Sequence, residues 1–508
     1  MPENANLTAQ IEQALRDHAA IPAFVLADGR THSRQWLLGE IDRLAGVLTS
    51  AGVVAGDRVT VQVEKSLAAV SLYLATLKIG AVFNPLNTGY TAAEIGFFLS
   101  DAEPAVVVAS AERIALIGDV ARKHGAHSLF TLEADGSGTL TEAAHTAQPF
   151  GASLPRQADD LATLLYTSGT TGRSKGAMIT HGNLTSNAFA LIAAWELTAG
   201  ETLIHALPIY HVHGLFVALN SALLGGLKLL WHEKFDARAV LADFSRAQVL
   251  TGVPTFYTRL LAEPALDPTA CAGMRLFMSG SAPLLPETHA AFRKRTGHAI
   301  LERYGMTETG MIASNPLHGK RIAGTVGCAL PGVTVRVAGI DGHELPRGQT
   351  GMVEVSGPNV FKGYWRLPDK TRDEFRPDGY FITGDQGVME DDGRLSLVGR
   401  AKDLIISGGL NIYPLEIEQA LNALPGIGES AVIGLPHLDF GEAVVAVVTP
   451  STDGGKPAHE AELIAELSKR FAKFKCPKRV VVLAELPRNA MGKVSKAELR
   501  ERFKALLA

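Results

Sequence analysis

An α/β fold is predicted, with a large N-terminal part of several layers and a small C-terminal α+β part. Three observations predict it. Helix-like and strand-like segments alternate through the first quarter of the chain, as expected where helices cover a largely parallel sheet. A Gly-rich, strand-like stretch over 324–400 breaks that alternation, and the residues beyond it carry helices and strands of their own. The border is drawn near Gly399–Lys402, giving parts 1–399 and 403–508.

In chain order, residues 9–19 and 33–51 show helical spacing of apolar positions. Arg58-Val-Thr-Val-Gln-Val and Ala105-Val-Val-Val are short apolar runs suited to buried strands. Thr91-Ala-Ala-Glu94 is a capping box: the threonine accepts from the third helical N–H and the glutamate reaches back. The apolar stretch Leu67–Phe83 contains Ser71 and Lys78 and is too short to span a bilayer. Residues 133–160, rich in Gly, Thr, Asp and Pro, are expected to be a connection between subdomains. Strands are expected at Leu161–Tyr166, Thr202–Leu207, Leu227–Trp231, Val249–Val253 and Leu276–Ser279. In the C-terminal part, Pro414 stands where proline is tolerated at a helix start. Strands at 431–435 and 443–448 follow, then a helix over 459–472, and Ser495-Lys-Ala-Glu498 is a second capping box.

Charge narrows the function. Across 508 residues, 48 Lys+Arg stand against 52 Asp+Glu, so no general basic field is available to hold nucleic acid. Cys271, Cys328 and Cys476 are too few and scattered for a disulfide framework or a zinc site. The first residues carry Glu3 and Glu12 without an apolar segment, so no signal peptide is expected. The expectation is a cytoplasmic protein with small-molecule partners and neither nucleic acid nor membrane.

The strongest local signal is Thr167-Ser168-Gly169-Thr170-Thr171-Gly172-Arg-Ser-Lys175-Gly, directly after an apolar strand. Glycines bring backbone N–H groups near phosphate oxygens, hydroxyls add donors, and lysine adds a counter-charge. Neither G-x-x-x-x-G-K-[ST] nor G-x-G-x-x-G describes it. Taken alone, the loop reads equally as a phosphate cradle or a flexible surface turn.

Further motifs resolve that ambiguity. Arg303-Tyr-Gly-Met-Thr-Glu308, Tyr380-Phe-Ile-Thr-Gly-Asp385, Gly399-Arg-Ala-Lys-Asp403, Ser407-Gly-Gly-Leu-Asn-Ile-Tyr-Pro-Leu-Glu416 and Pro487-Arg-Asn-Ala-Met-Gly-Lys493 follow in order. Together with the loop they resemble the signatures of the adenylate-forming superfamily (acyl-CoA synthetases, non-ribosomal adenylation domains and firefly luciferase). The resemblance implies a two-part adenylating enzyme with a mobile C-terminal lid. A carboxylate attacks the α-phosphorus of ATP, and a thiol, here coenzyme A, then displaces AMP from the acyl-adenylate.

Roles carried over by the resemblance are these. Lys493 is the principal catalytic cation between carboxylate and α-phosphate, Thr307 binds that phosphate, and Glu308 holds Mg²⁺. Thr167 to Gly172 with Lys175 cradle the phosphates. Asp385 takes the ribose hydroxyls, Arg400 the ribose or a nearby phosphate. Tyr304 stacks on adenine, a core aromatic being the alternative, and Ser281 and Ala282 run along the base and the substrate tunnel. Lys402 is the hinge, and Ser407, Gly408 and Gly409 meet the incoming thiol. Lys473, Lys475, Lys478 and Arg479 read either as a phosphate patch for coenzyme A or as a solvated face.

The acid is read from Arg303. A buried cation in an acyl pocket is costly unless it meets an anion, and a short dicarboxylate supplies one that arginine can bind bidentately. Leu203-Ile-His-Ala-Leu-Pro-Ile-Tyr-His-Val-His-Gly and Leu301-Glu-Arg-Tyr-Gly-Met-Thr-Glu-Thr closely resemble segments of malonyl-CoA synthetases. Malonate is therefore expected as substrate, with methylmalonate plausible. Ser279 and His211 or His213 would share the distal carboxylate, and His211 gates the reacting one. Val212 and Met311 would set tolerance for alkylated malonates. The alternatives are a short-chain monocarboxylate ligase with a structural Arg303 paired to a protein acid in the neighbourhood of Glu302; an adenylation protein loading a carrier in trans; and a non-catalytic nucleotide binder, which would not need Lys493, Glu308 and Asp385 together.

Overall fold

A computed structural model describes residues 4–167, 174–407, 410–437, 440–451, 459–471, 473–489 and 492–507. Two compact units emerge: Met1–Val335 with Val355–Phe381, and Arg336–Glu354 with Ile382–Ala508.

Two sheets organise the first unit. The six-stranded sheet runs Ser128–Thr131, Val106–Ala109, Arg58–Gln62, Val82–Pro85, Leu161–Thr167, Lys175–Thr180. All its neighbours are parallel except the last pair. The nine-stranded sheet has six parallel strands at its centre, in the order Leu301–Met306, Leu276–Ser279, Val249–Gly252, Thr202–His205, Lys228–Trp231, Phe24–Leu26. Antiparallel strands Gly310–Ser314 and Cys328–Ala329 continue one side and Thr31–His32 the other. The central strands are short apolar runs because parallel strands are covered on both faces. Leu276, Phe277 and Met278 are completely buried.

Most segments form where the sequence places them. Helices Leu7–Asp17 and Arg34–Ser50 occupy the two expected stretches. Both halves of the Thr91–Glu94 capping box are made. At the C-terminus only the Ser495 half is made, as the serine hydroxyl accepts from the Glu498 amide. Residues 133–160 are not wholly a connection: Thr139–Thr146 is helical, opened by Gly138 at φ 135° and burying Leu140 and Ala144. Composition reads as loop there because only one short face is apolar, and packing on the neighbouring helix decides it. Leu67–Lys78 is a helix buried from Ala69 onward, and no helix among the described residues is long and apolar enough to cross a membrane. Cys271, Cys328 and Cys476 are free thiols.

The second unit holds a four-stranded sheet, Thr334–Ala338, Thr350–Ser356, Phe381–Met389 and Leu395–Arg400, whose first three strands begin or end a residue or two outside the unit. It also holds a sheet ordered Leu410–Ile412, Ile405–Ser407, Gly441–Pro450, Ile427–His437, with Arg479–Val482 paired to Gly441–Pro450. Helices Pro414–Asn422 and Glu460–Ser468 cover one face. The border expected at 399–403 differs from the division by compactness, which puts Ile382–Gly399 with the C-terminal residues.

Lys78 shows how the first unit tolerates charge in its interior. Its ammonium, 2 % exposed, is bonded to Glu12, 4 % exposed, and to Asp42 at 2.6 Å. Lys78→Ala would leave the Glu12 carboxylate buried with only Arg16, at 3.5 Å, as a cation, and a loss of about 3–5 kcal/mol is expected in urea unfolding. An unchanged midpoint would mean that the carboxylate finds water.

Candidate functional site

The carboxyl ends of the parallel strands assemble the first part of the site, where open α/β sheets bind ligands. Ser279 ends Leu276–Ser279 and pairs in register with Glu302, so Arg303 follows on the adjacent strand. Both are interior, Ser279 1 % and Arg303 4 % exposed. No carboxylate pairs with Arg303 among the described residues, and its Nε and Nη2 are buried without a protein hydrogen-bond partner. Those two nitrogens lie on one edge of the guanidinium, and their N–H bonds are parallel, the fork that binds a carboxylate side-on. Ser279 Oγ is likewise buried without a protein partner. Burial pushes the Arg303 pKa down to about 9, a guanidinium whose charge lacks compensation. Glu302 does not neutralise it. Its side chain accepts from the Gly324 amide at 3.2 Å, and burial pushes its pKa up to about 8.

The histidine segment lies on the same edge. Thr202–His205 leads through Pro208 into a π-helix at His213–Asn220, with Val212 buried at its cap. π-Helical turns recur at functional sites. The two ring nitrogens of His213 are 3.1 Å from Ser281 Oγ and 2.6 Å from Thr251 Oγ1. His211 is half-buried, and its Nδ1 accepts a long 3.4 Å bond from the His213 amide. Ser281 has φ 71°, a left-handed conformation that a non-glycine residue holds only under constraint, and Ala282 beside it is exposed. Met311 is 2 % exposed, and Asn187 grips its backbone from both sides, accepting from the amide at 2.9 Å and donating to the carbonyl at 2.8 Å.

A second cluster of polar side chains gathers around Glu308. Leu301–Met306 carries buried Tyr304, and the turn after it presents half-buried Thr307 and buried Glu308. Glu308 Oε1 accepts from Thr167 at 3.4 Å and from the Tyr364 hydroxyl at 3.1 Å. That hydroxyl is also 2.6 Å from Glu374, which pairs with Lys175 at 3.0 Å. Lys175 Nζ also sits 4.0 Å over the Tyr364 ring. Thr167 and Lys175, the two ends of the glycine-rich loop, are opposite one another in an antiparallel ladder. Both are thereby tied to Glu308, one directly and one through Glu374 and Tyr364. Burial would raise the Glu374 pKa, but bonds from Lys370, Tyr364 and Lys175 hold it below the usual value. Ser168, Gly169, Thr170, Thr171 and Gly172 lie outside the described residues.

In the second unit, Asp385 and Arg400 face each other across the Phe381–Met389 and Leu395–Arg400 pair and form a 2.7 Å ion pair. Lys402 lies exposed in the turn Ala401–Asp403, and partial desolvation lowers its pKa. Ser407 is buried at the end of its strand, while Gly408 and Gly409 lie outside the described residues. Lys493 stands in a tight turn closed on Asn489: its amide donates to the Asn489 side chain at 3.0 Å, and its carbonyl accepts from the Asn489 amide at 2.8 Å. Gly492, at φ 73°, makes that turn. In the basic cluster, Lys475 pairs with Glu416, Arg479 with Glu460, and Lys478 lies over Phe440.

The first unit therefore brings together Ser279, Ser281, Arg303, Thr307, Glu308, His211, His213, Thr167 and Lys175 along one sheet edge and the adjoining strand pair. Asp385, Arg400, Lys402, Ser407 and Lys493 belong to the second unit. Sequence reading missed Thr251, Tyr257, Tyr364, Glu374 and Lys65, none of which sits in a motif of its own. Lys65 donates to the carbonyls of His205 at 2.8 Å and His232 at 2.5 Å, and lies 4.1 Å over Trp231. Burial drives its pKa well below the ordinary value. His205 in turn donates from Nε2 to Gly214 O in the π-helix at 2.9 Å.

The chain matches the AMP-binding enzyme family over residues 11–365 and the AMP-binding enzyme C-terminal domain over 416–493. It superimposes on ATP-bound MatB of Rhodopseudomonas palustris with a TM-score of 0.96 at 52 % identity, covering 99 % of this chain and 100 % of that one. It is 36 % identical to a malonate–CoA ligase of Arabidopsis thaliana over 89 % of this chain and 78 % of the plant protein. It is 37 % identical to a feruloyl-CoA synthase of an Amycolatopsis species over 91 % and 92 %.

Glu302 yields a prediction about pH. Its folded pKa lies above the ordinary 4.5, so the unfolded chain ionises first and stability falls as pH rises from about 4.5 toward 8. Glu302→Gln keeps the acceptor for Gly324 and removes the charge. Its thermal midpoint should exceed the parent's at pH 8, with the gain shrinking toward pH 5; a gain equal at both would mean that Glu302 does not titrate with folding.

Proposed function

The chain belongs to the AMP-binding enzyme family and is an AMP-forming acid–CoA ligase, and within that family we propose that its acid is malonate. The observation that carries this reading is the buried side fork of Arg303, Nε and Nη2, which no acid among the described residues answers. A monocarboxylate would leave that cation desolvated and unpaired, at a cost of several kcal/mol. A second carboxylate, one methylene from the reacting one, meets the fork and the Ser279 hydroxyl. Relatives alone do not select the acid, because feruloyl-CoA synthase is about as similar as malonate–CoA ligase.

The chemistry then runs in two halves. The free carboxylate of malonate attacks the α-phosphorus of ATP, a P–O bond forms, and pyrophosphate leaves with the electron pair. The thiolate of coenzyme A next attacks the acyl carbon, and AMP departs. Thr307 and the loop 167–175 hold the phosphates, and Glu308 fits a hard cation that takes one protein carboxylate and completes its shell from phosphate oxygens. Mg²⁺ there would neutralise phosphate charge. Asp385 and Arg400 serve the ribose side, and Lys493 supplies the cation for the first half. Lys402 is the hinge that separates the parts 1–399 and 403–508, and Ser407 to Gly409 line the thiol's approach in the second half.

Pyrophosphate release should be followed with ATP, Mg²⁺ and coenzyme A across malonate, methylmalonate, succinate, acetate and butyrate. Malonate is expected to lead. Arg303→Ala should lower kcat/KM for malonate by about 100-fold or more, the loss of a paired, charge-assisted contact. Acetate or butyrate leading would make Arg303 structural and overturn the malonate assignment. Separately, Lys493→Ala should slow pyrophosphate release by about 100-fold or more while still converting supplied malonyl-adenylate to thioester. Equal loss of both halves would count against its role.

A further inference from the structure

Arg303 can lie where it does only because the residue on the neighbouring strand end has no side chain. A Cβ built on Gly280 would fall 2.3 Å from Arg303 Nη1, 2.4 Å from Cζ and 2.7 Å from Nε. Real Cβ atoms never come so close, and all three nearest atoms belong to one guanidinium. The backbone at Gly280 does not require glycine for its own sake, because the left-handed conformation falls on Ser281 instead, at φ 71°. The need for glycine is therefore a need for room. The guanidinium also cannot simply swing away, since Arg303 is 4 % exposed among close-packed neighbours. Tyr257, fully buried near it, is fixed by a hydrogen bond from its hydroxyl to the Met278 carbonyl.

We infer that Gly280 is a specificity-determining position: it is the berth of the Arg303 guanidinium, and the enzyme reads a second carboxylate only while that position lacks a side chain. Gly280 touches no substrate atom in this account and acts through Arg303. A methyl group at 280 displaces the guanidinium plane by an ångström or more, turns the Nε–Nη2 fork from the acid and strains the core around it. The inference rests on the reading of Arg303 as the acid's partner, so the test separates the two.

Four proteins decide it: the parent, G280A, R303A and the double variant G280A/R303A, each assayed for malonate-dependent pyrophosphate release, for binding of a fluorescent ATP analogue, and for thermal unfolding. G280A is expected to lose about 100-fold in kcat/KM for malonate, to bind the nucleotide within threefold of the parent, and to unfold at a lower temperature. In the R303A background the same substitution should do nothing further to malonate turnover. It should also cost no stability there, because the atoms it collides with are gone. If G280A cannot be obtained folded, recovery of a folded double variant supports the berth and continued misfolding overturns it. Malonate turnover within threefold of the parent in G280A overturns the proposal. So do additive losses in the double variant, which would assign the glycine to the main chain of the site. If R303A itself turns over malonate as the parent does, the malonate reading fails, whereas the stability coupling between 280 and 303 still reports on the berth.

Discussion

A guanidinium taken out of water needs an anion, and the acid site is arranged around that requirement. Arg303 is held on the edge of a parallel sheet with its side fork free of protein partners, beside a serine hydroxyl in the same condition. The acid next to it in sequence, Glu302, is on the alternate face of the same strand and is itself held toward its neutral form by burial. Leaving a cation uncompensated in the interior costs stability in the free protein. On the malonate proposal that cost is offset when the substrate brings the missing charge, which is how a binding site can favour one class of acid over another without touching the rest of the molecule. The surroundings follow from this: room at Gly280, a fixed Tyr257, and a histidine whose two ring nitrogens are both engaged.

Phosphate chemistry imposes the opposite demand, for cations and donors around developing negative charge. Here the protein ties its parts together before nucleotide arrives. Thr167 reaches Glu308 directly, and Lys175 reaches it through Glu374 and Tyr364. A single phenol hydroxyl lies between two carboxylates, and the lysine's charge is met by one of them and by the ring face. The result is a preset spacing between the ends of the glycine-rich loop and the carboxylate suited to a divalent cation. Lys65 does comparable work beneath the histidine segment, joining two strand ends by their carbonyls.

In the second unit the functional groups are set by local geometry. Asp385 and Arg400 are cross-strand neighbours, so their ion pair follows from register. The Lys493 turn is closed on Asn489, whose side chain and amide both bond the Lys493 backbone, with left-handed Gly492 beside it. Under the proposed function, a compact turn of this kind suits a lysine that serves only one half of the reaction.

Local chemistry explains how much was legible beforehand. The loop at 167–175, the Thr-Glu pair at 307–308, Asp385 and Lys493 lie in contiguous motifs whose spacing is itself the signal, and the short apolar strands between them announce a covered parallel sheet. Strand ends and the helix at Thr139–Thr146 were less legible, because a short amphipathic face in polar surroundings is decided by what packs on it. The sequence by itself determined the α/β class, the family, and the arginine that stands before Tyr304. Only the tertiary structure decided that no acid among the described residues answers that arginine, that Gly280 makes its room, and that Tyr364 and Glu374 join Lys175 to Glu308. The reason is physical: burial and pairing are properties of residues from separate strands that sheet register sets side by side, and no spacing along the chain encodes them.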